Sequence, residues 1–379
     1  MSVGSKRLWG VTLLGLIGVV AAYFLAGPQR FWLNWVLWFV FLLTLALGAL
    51  FMVALEHLVS SRWSVPIRRI PERLSTLLLP LVPTGIIALG AVPVLYPGAR
   101  PEVLTNKLLA GKAFWLSLPC FSLRVALCFL AWLLALMVLV KGSLSQDQTR
   151  DPQFNVRARR FAPLAMAFFG LGITVVAFDW ISGLEPEWYS DIFGIYLFAG
   201  AFLASLSATL LMVLHIQGKG RLQEVRRDHL YNLGGFIFAF TVFWSYIGFA
   251  QYMLMWYADM PEEVVWYQKR THGGWMAVVI AMALLHFVIP FFSLLTRDAK
   301  QAGRRLHWVA GIMLFAHLLD LYWLIFPVIL PGPSLSWPEL SFALFFLGGA
   351  LLWFRRVRDL GADLPVGDAF LNQGLEFRL

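Results

Sequence analysis

Ten apolar runs, each bounded by clusters of charge or by proline and glycine, constrain this chain more than anything else in it. Crossing a bilayer core of about 30 Å takes roughly 20 apolar residues in a helix, and the runs near 8–26, 31–56, 77–96, 113–140, 161–181, 192–216, 230–256, 271–295, 306–330 and 337–354 have about that length. The interior of a bilayer offers no water to the backbone, so a spanning segment is a helix or part of a closed barrel. A barrel would alternate polar and apolar residues, whereas these runs are continuous. The expectation is an all-α integral membrane protein of ten transmembrane helices, with residues 1–379 forming a single polytopic membrane domain. Composition excludes the soluble alternative: 60% of the residues are hydrophobic and 13% charged, against roughly a quarter charged in soluble domains.

The charge that remains is sorted by side. The net charge is +9, but the basic residues form short clusters between apolar runs, which is a topology signal and not a nucleic-acid footprint. The N-terminus, the loops after helices 2, 4, 6 and 8, and the C-terminal tail hold 23 of the Lys and Arg residues, the alternate loops hold 6, and Arg124 lies inside helix 4. Both termini are therefore expected in the cytoplasm. Lys6-Arg7 and the run after it are read as a retained first helix, because the apolar stretch exceeds the roughly 7–15 residues of a signal peptide's core.

Two loops on the other side collect Glu185, Glu187, Asp191, Asp259, Glu262 and Glu263 with Trp180, Trp188, Trp256 and Trp266. An acidic, aromatic rim suits an interfacial belt or a docked partner, and Glu185, Glu187, Trp188, Glu262, Glu263 and Trp266 are the partner-docking candidates. Residues 50–57, closing helix 2, echo residues 210–215, closing helix 6. That spacing fits two four-helix bundles, helices 2 to 5 (31–181) and 6 to 9 (192–330), flanked by helices 1 and 10; chance likeness between Leu-rich segments is the alternative.

Titratable groups at membrane depth are costly, so each invites a functional hypothesis. His317 and Asp320 are three residues apart on one face of helix 9. His286 on helix 8 and His317 each stand roughly 17 Å from the basic boundary. Two imidazoles and a carboxylate at one depth can take up and release protons near neutral pH. The competing readings are a polar helix contact and a pair of axial haem ligands. Glu56, His57 and His215 close helices 2 and 6, as caps or as a proton entrance. Asp179, late in helix 5, is the matching exit candidate with Glu185. Arg124 is expected to snorkel outwards, and Ser245, Tyr246 and Gln251 to hydrogen-bond between helices or line a hydrated cavity.

The run from Phe178 to Tyr196, reading Phe-Asp-Trp-Ile-Ser-Gly-Leu-Glu-Pro-Glu-Trp-Tyr-Ser-Asp-Ile-Phe-Gly-Ile-Tyr and followed by Phe198-Ala199-Gly200, resembles the ActF-type subunits of bacterial alternative complex III. The likeness continues through Phe243-Trp244-Ser245-Tyr246, Phe249-Ala250-Gln251-Tyr252, Pro261-Glu262-Glu263, Trp266-Tyr267, His286-Phe287 and Asp320-Leu321-Tyr322-Trp323, covering roughly 160–330. These subunits belong to the wider NrfD-like, or polysulfide-reductase-type, membrane group. The resemblance implies a respiratory quinol:electron-acceptor oxidoreductase in the bacterial inner membrane. An iron-sulfur protein, a multihaem cytochrome c and a sister NrfD-like subunit would be the partners, with lipids around them. Haem c and iron-sulfur clusters would belong to other subunits, with none bound by this chain, and the resemblance extends to a quinol contact. Cys120 and Cys128 share one apolar run and form no metal or haem-attachment motif. The remaining functional alternatives are a proton-coupled secondary transporter and a haem-bearing cytochrome b type subunit.

Overall fold

The computed structural model describes residues 3–105, 109–358 and 361–379, and among these every regular element is helical. Ten helices are long and apolar enough to span a membrane: α1 (Ser5–Leu25), α2 (Pro28–Val59), α3 (Arg69–Leu95), α4 (Leu118–Thr149), α5 (Gln153–Leu184), α6 (Phe193–Gln217), α7 (Arg227–Ala258), α8 (Trp275–Ser293), α9 (Gly303–Val328) and α10 (Trp337–Arg358). The chain is a multi-pass membrane protein.

Most of these helices run past the ends expected from charge. α5 begins at Gln153 and not near 161, so Arg157, Arg159 and Arg160 belong to its first turns, and α4 continues through Lys141 to Thr149. The physical reason is that a helix does not stop at the hydrocarbon boundary; its polar end stays helical in the interface, where backbone and cations are both hydrated. At the other end α4 starts later than expected, because Ser117 in an extended conformation separates the short helix Ala113–Leu116 from Leu118.

α2 is apolar all round and buried all round, which puts it at the centre. Pro28 starts it after Gly27, whose φ of 82° turns the chain out of α1. α6 and α9, the next most buried, pack against α2 and each other. Ala201 and Ser205 of α6 lie so close to Gly48 of α2 that a side chain there would strike them. The two segments that echo each other in sequence thus close the two helices that meet in the middle. α2 also contacts α3 and α5, with α4 touching α3 and α5; α7 touches α6 and α8, and α8 touches α9. α1 and α10 form a close pair on the flank of α2 and α3, with Gly15 and Gly18 facing Phe345 and Ser341. Arg30 and Asn34 of α2 hold Glu339 of α10, the Arg30 Nη2 to Oε2 distance being 2.8 Å.

At the basic end the last residues fold back over the helix ends. Arg68 pairs with Glu56 and, at 2.5 Å, with Asp368. Arg69 holds Glu72 at 2.5 Å and also pairs with Asp147. Asp363 bridges Arg73 at 2.8 Å and Arg221 at 2.6 Å. His229 accepts from the Arg226 N–H at 3.0 Å through Nδ1, which leaves Nε2 to donate to the Gly374 carbonyl at 3.0 Å. Arg68, Arg69 and Arg73 are all buried, so part of the basic cluster read as a topology signal is spent on binding acidic residues of the tail and of α4.

Candidate functional site

The structure gathers His286, His317 and Asp320 where α8 and α9 meet α6 and α7, with all three buried. The Tyr196 hydroxyl donates to Asp320 Oδ1 at 2.5 Å. Trp244 lies with its ring centroid 3.8 Å from that of His286 and 5.6 Å from that of Tyr196. A Cβ placed on Gly200 of α6 would stand 3.1 Å from His317 Nδ1 and 3.6 Å from Trp244 Cδ1, so Gly200 makes the room in which the groups assemble. His317 and Asp320 share a helix face, as their spacing predicts, but their bonds go to longer-range partners: Asp320 turns to Tyr196, while His317 Nε2 meets the Thr44 hydroxyl of α2 at 2.9 Å. Sharing a helix face brings two side chains near each other, and the better-oriented hydroxyls on other helices decide the bonds.

Among the described residues, three imidazole nitrogens in this cluster, Nδ1 and Nε2 of His286 and Nδ1 of His317, are buried with no hydrogen-bond partner from the protein. An unpaired polar atom in a low-dielectric interior costs about 1–3 kcal/mol, so a cluster of them is the kind of exception that asks for a functional explanation. His286 also sits on a π-helical turn, Ala283–Val288, as Asp179 does on Ala177–Ile181. Such turns shift a side chain out of the regular register and recur at functional sites.

Towards the basic end, Ser205 and Thr209 stand one turn apart on α6, on the side facing α2, fully buried and with hydroxyl oxygens that have no protein partner among the described residues. Glu56 and His57 follow at the end of α2, also buried, and among the described residues Oε2 of the one and Nε2 of the other have no protein hydrogen-bond partner. Glu56 is clamped by Arg68 under the C-terminal tail. His215, by contrast, is exposed near Lys219, Arg358 and His307.

Towards the acidic end, a cleft of about 530 Å³ opens between α7, α8 and α9. Tyr196 and Trp244 form part of its lining, Gln251 and Tyr267 supply polar groups, and Tyr246 and Phe249 are exposed at its margin. Gln251 accepts from Ser190 and donates to the Tyr267 hydroxyl, both at 3.2 Å. Burial pushes Tyr267 up to about 12, against the opposing pull of Gln251 and Arg270, so this phenol stays protonated as a donor.

Asp179 lies apart from this cluster. Arg124 of α4 reaches it with Nε at 2.7 Å and Nη2 at 2.9 Å, and stacks on Trp115 at 4.0 Å. The guanidinium does turn back towards the helix start, Nη1 donating to the Trp115 carbonyl at 2.8 Å, but the expected snorkelling to water is corrected: it stays buried, because a buried carboxylate across the α4–α5 contact neutralises it. Glu185 is likewise engaged, accepting from Lys269 and forming an ion pair with Arg270, each at 2.7 Å. Burial presses Arg270 down to about 10, Glu185 offsets part of that, and the group remains a cation at neutral pH.

Of the docking candidates, Trp188 and Trp266 stack on each other at 4.2 Å and are buried, with Arg270 over the Trp266 ring at 3.7 Å. Glu187 and Glu262 are exposed, and Glu185 and Glu263 partly so. Thr44, Ser205 and Thr209 belong to the buried polar system without having been singled out by sequence, and Tyr196 and Trp244, which stand in the runs that carry the resemblance, were given no part in it. Hydroxyls and indoles in apolar runs carry no charge signal; only the small residue at Gly200 beside a tyrosine one turn earlier marks where α6 could admit a partner. No family model and no curated protein matches this chain.

Proposed function

We propose that this chain is the proton-handling membrane subunit of a respiratory quinol-oxidising assembly of the alternative complex III kind. The observation that carries the reading is the buried group of His286, His317 and Asp320, in which three imidazole nitrogens have no protein partner among the described residues, beside a carboxylate that a tyrosine holds at 2.5 Å. Groups able to exchange protons, placed at membrane depth and incompletely satisfied, are poised for transfer and poorly suited to a purely structural contact. In this reading protons enter from the cytoplasm past Glu56 and His57, follow Thr209, Ser205 and Thr44, and reach His317. Asp320 and Tyr196 carry them to the aromatic cleft, where a quinol ring contacts Tyr196, Gln251 and Tyr267. His215, Asp179 and Glu185 have lesser parts, the last two because arginines hold them.

The helix contacts support two four-helix bundles, α2–α5 and α6–α9, joined through α2 and α6 and flanked by α1 and α10. The charge asymmetry supports cytoplasmic termini in a bacterial inner membrane. Exposed Glu187 and Glu262 support docking of peripheral iron-sulfur and haem c subunits, with a sister NrfD-like subunit beside this one. Trp188, Trp266 and Arg270 stiffen that rim from inside.

The test uses the intact assembly in proteoliposomes, scoring quinol oxidation and proton uptake per electron. Asp320→Asn and His317→Ala are expected to lower the proton stoichiometry while haem and iron-sulfur subunits still co-purify. Wild-type values for both quantities in both variants would remove the relay reading. Co-purification with no redox protein at all would remove the respiratory one.

A further inference from the structure

A cleft of about 870 Å³ separates the α1–α10 pair from α3 in the half of the molecule nearest the basic end. It follows from how that pair is built. α1 and α10 approach closely through Gly15, Gly18 and Gly348, and Glu339 ties α10 to α2 at the acidic end. Nothing comparable draws the other half of α10 onto α3 except one bond, Trp353 Nε1 donating to Thr76 at 3.0 Å. The wall beneath is apolar, from Leu77 to Thr84 of α3 and down to Leu42 of α2.

The rim has a different character. Arg355, Arg356, Arg358 and Lys219 stand around the mouth, and among the described residues no carboxylate lines the cleft. Arg355, Arg356 and Lys219 are exposed, and among the described residues none of them makes an ion pair. From Arg356 to Phe345 along α10 is eleven residues, roughly 16 Å, about the thickness of one leaflet's hydrocarbon. Trp9 and Trp353 sit at the mouth, at the level where indoles mark the interface.

We infer that this cleft is a specific site for one anionic phospholipid, its phosphate held by Arg355, Arg356 and Lys219 and its acyl chains lying between α10 and α3. Charge complementarity chooses the occupant. A neutral lipid or a packed protein helix would leave the cations uncompensated, whereas basic pockets between helices on this side of a membrane bind acidic headgroups. The inference depends on the basic helix ends lying at a membrane surface and not on the respiratory reading, so neither result decides the other.

The full-length chain, purified in mild detergent, is titrated with phosphatidylglycerol and with phosphatidylcholine and read by native mass spectrometry. One phosphatidylglycerol is expected to bind well above the phosphatidylcholine background. Arg355→Gln with Arg356→Gln should weaken it roughly fivefold for each charge removed. Gly349→Leu fills the cleft from a position with open space around it and should abolish retention without touching the charges. Gly311→Leu, equally open but on α9, should bind as wild type does. Equal binding of the two lipids by the wild type, wild-type affinity in the double arginine variant, or retention in Gly349→Leu would each overturn the site. Thermal melting of every variant shows that it is folded, and should the arginine variant fail to fold, Gly349→Leu decides alone.

Discussion

At the scale of single residues, a charge buried between helices stands or falls with the partner that neutralises it. Arg124 is the instructive case. Seen along the chain it is an isolated cation near a helix start, and a long side chain there is free to reach water. Its partner Asp179 is 55 residues away, and no local pattern links the two. With both groups buried, removing one leaves a charge unpaired at a cost of about 3–5 kcal/mol, while removing both costs far less. Arg124→Ala should therefore lower the melting temperature in detergent clearly, and Arg124→Ala with Asp179→Asn should recover most of the loss. If the double variant melts no higher than the single one, the pair is not a mutually neutralising unit. His317 makes the same point in the other direction: its spacing to Asp320 is legible, but the Thr44 hydroxyl that binds it sits on a helix 273 residues earlier in the chain.

At the scale of elements, hydropathy located all ten helices, and charge placed their ends too early because polar helical turns continue through the interface. The C-terminal tail was not legible as an element at all, since it is short, mixed in composition and gains its structure from what it covers. Asp368 anchors it. Burial would raise the carboxyl's pKa, but the charge of Arg68, the Phe370 N–H and Asn155 together hold it below the usual value. A depressed carboxylate contributes stability that is complete above its unfolded pKa, near 3.9, and lost as pH falls through the folded one. The tail should thus stay docked across the neutral range and detach only below about pH 4, seen as a loss of amide protection in residues 361–379 relative to the intrinsic exchange rate at each pH. Asp368→Asn should free it at pH 7 and leave the helices protected. Unchanged protection of the tail from pH 7 to pH 3, with the same protection in Asp368→Asn, would show that this carboxylate does not hold it.

At the scale of the whole molecule, an even number of spans returns both termini to one side. Single cysteines in a background lacking Cys120 and Cys128 test the side. A residue in the tail should react with impermeant maleimide only in inverted vesicles, and Asp191→Cys or Asp259→Cys, both exposed, only in right-side-out cells. Labelling of both sets from one face would refute the topology. Membrane residence, the number of spans and the depth of each ionisable group are properties of the chain alone, because the bilayer is a one-dimensional solvent: depth follows from counting residues along a helix of known rise. Which helix faces which is a two-dimensional question in the membrane plane, where lipid and Leu are equally apolar and hydropathy says nothing. Close approach at glycines, pairing of buried charges and the reach of hydroxyls settle it. For that reason the deep titratable residues His286, His317 and Asp320 could be named in advance, whereas the contacts that Tyr196, Trp244 and Thr44 make with them, the Arg124–Asp179 clamp and the cationic cleft beside α10 came only from the tertiary structure.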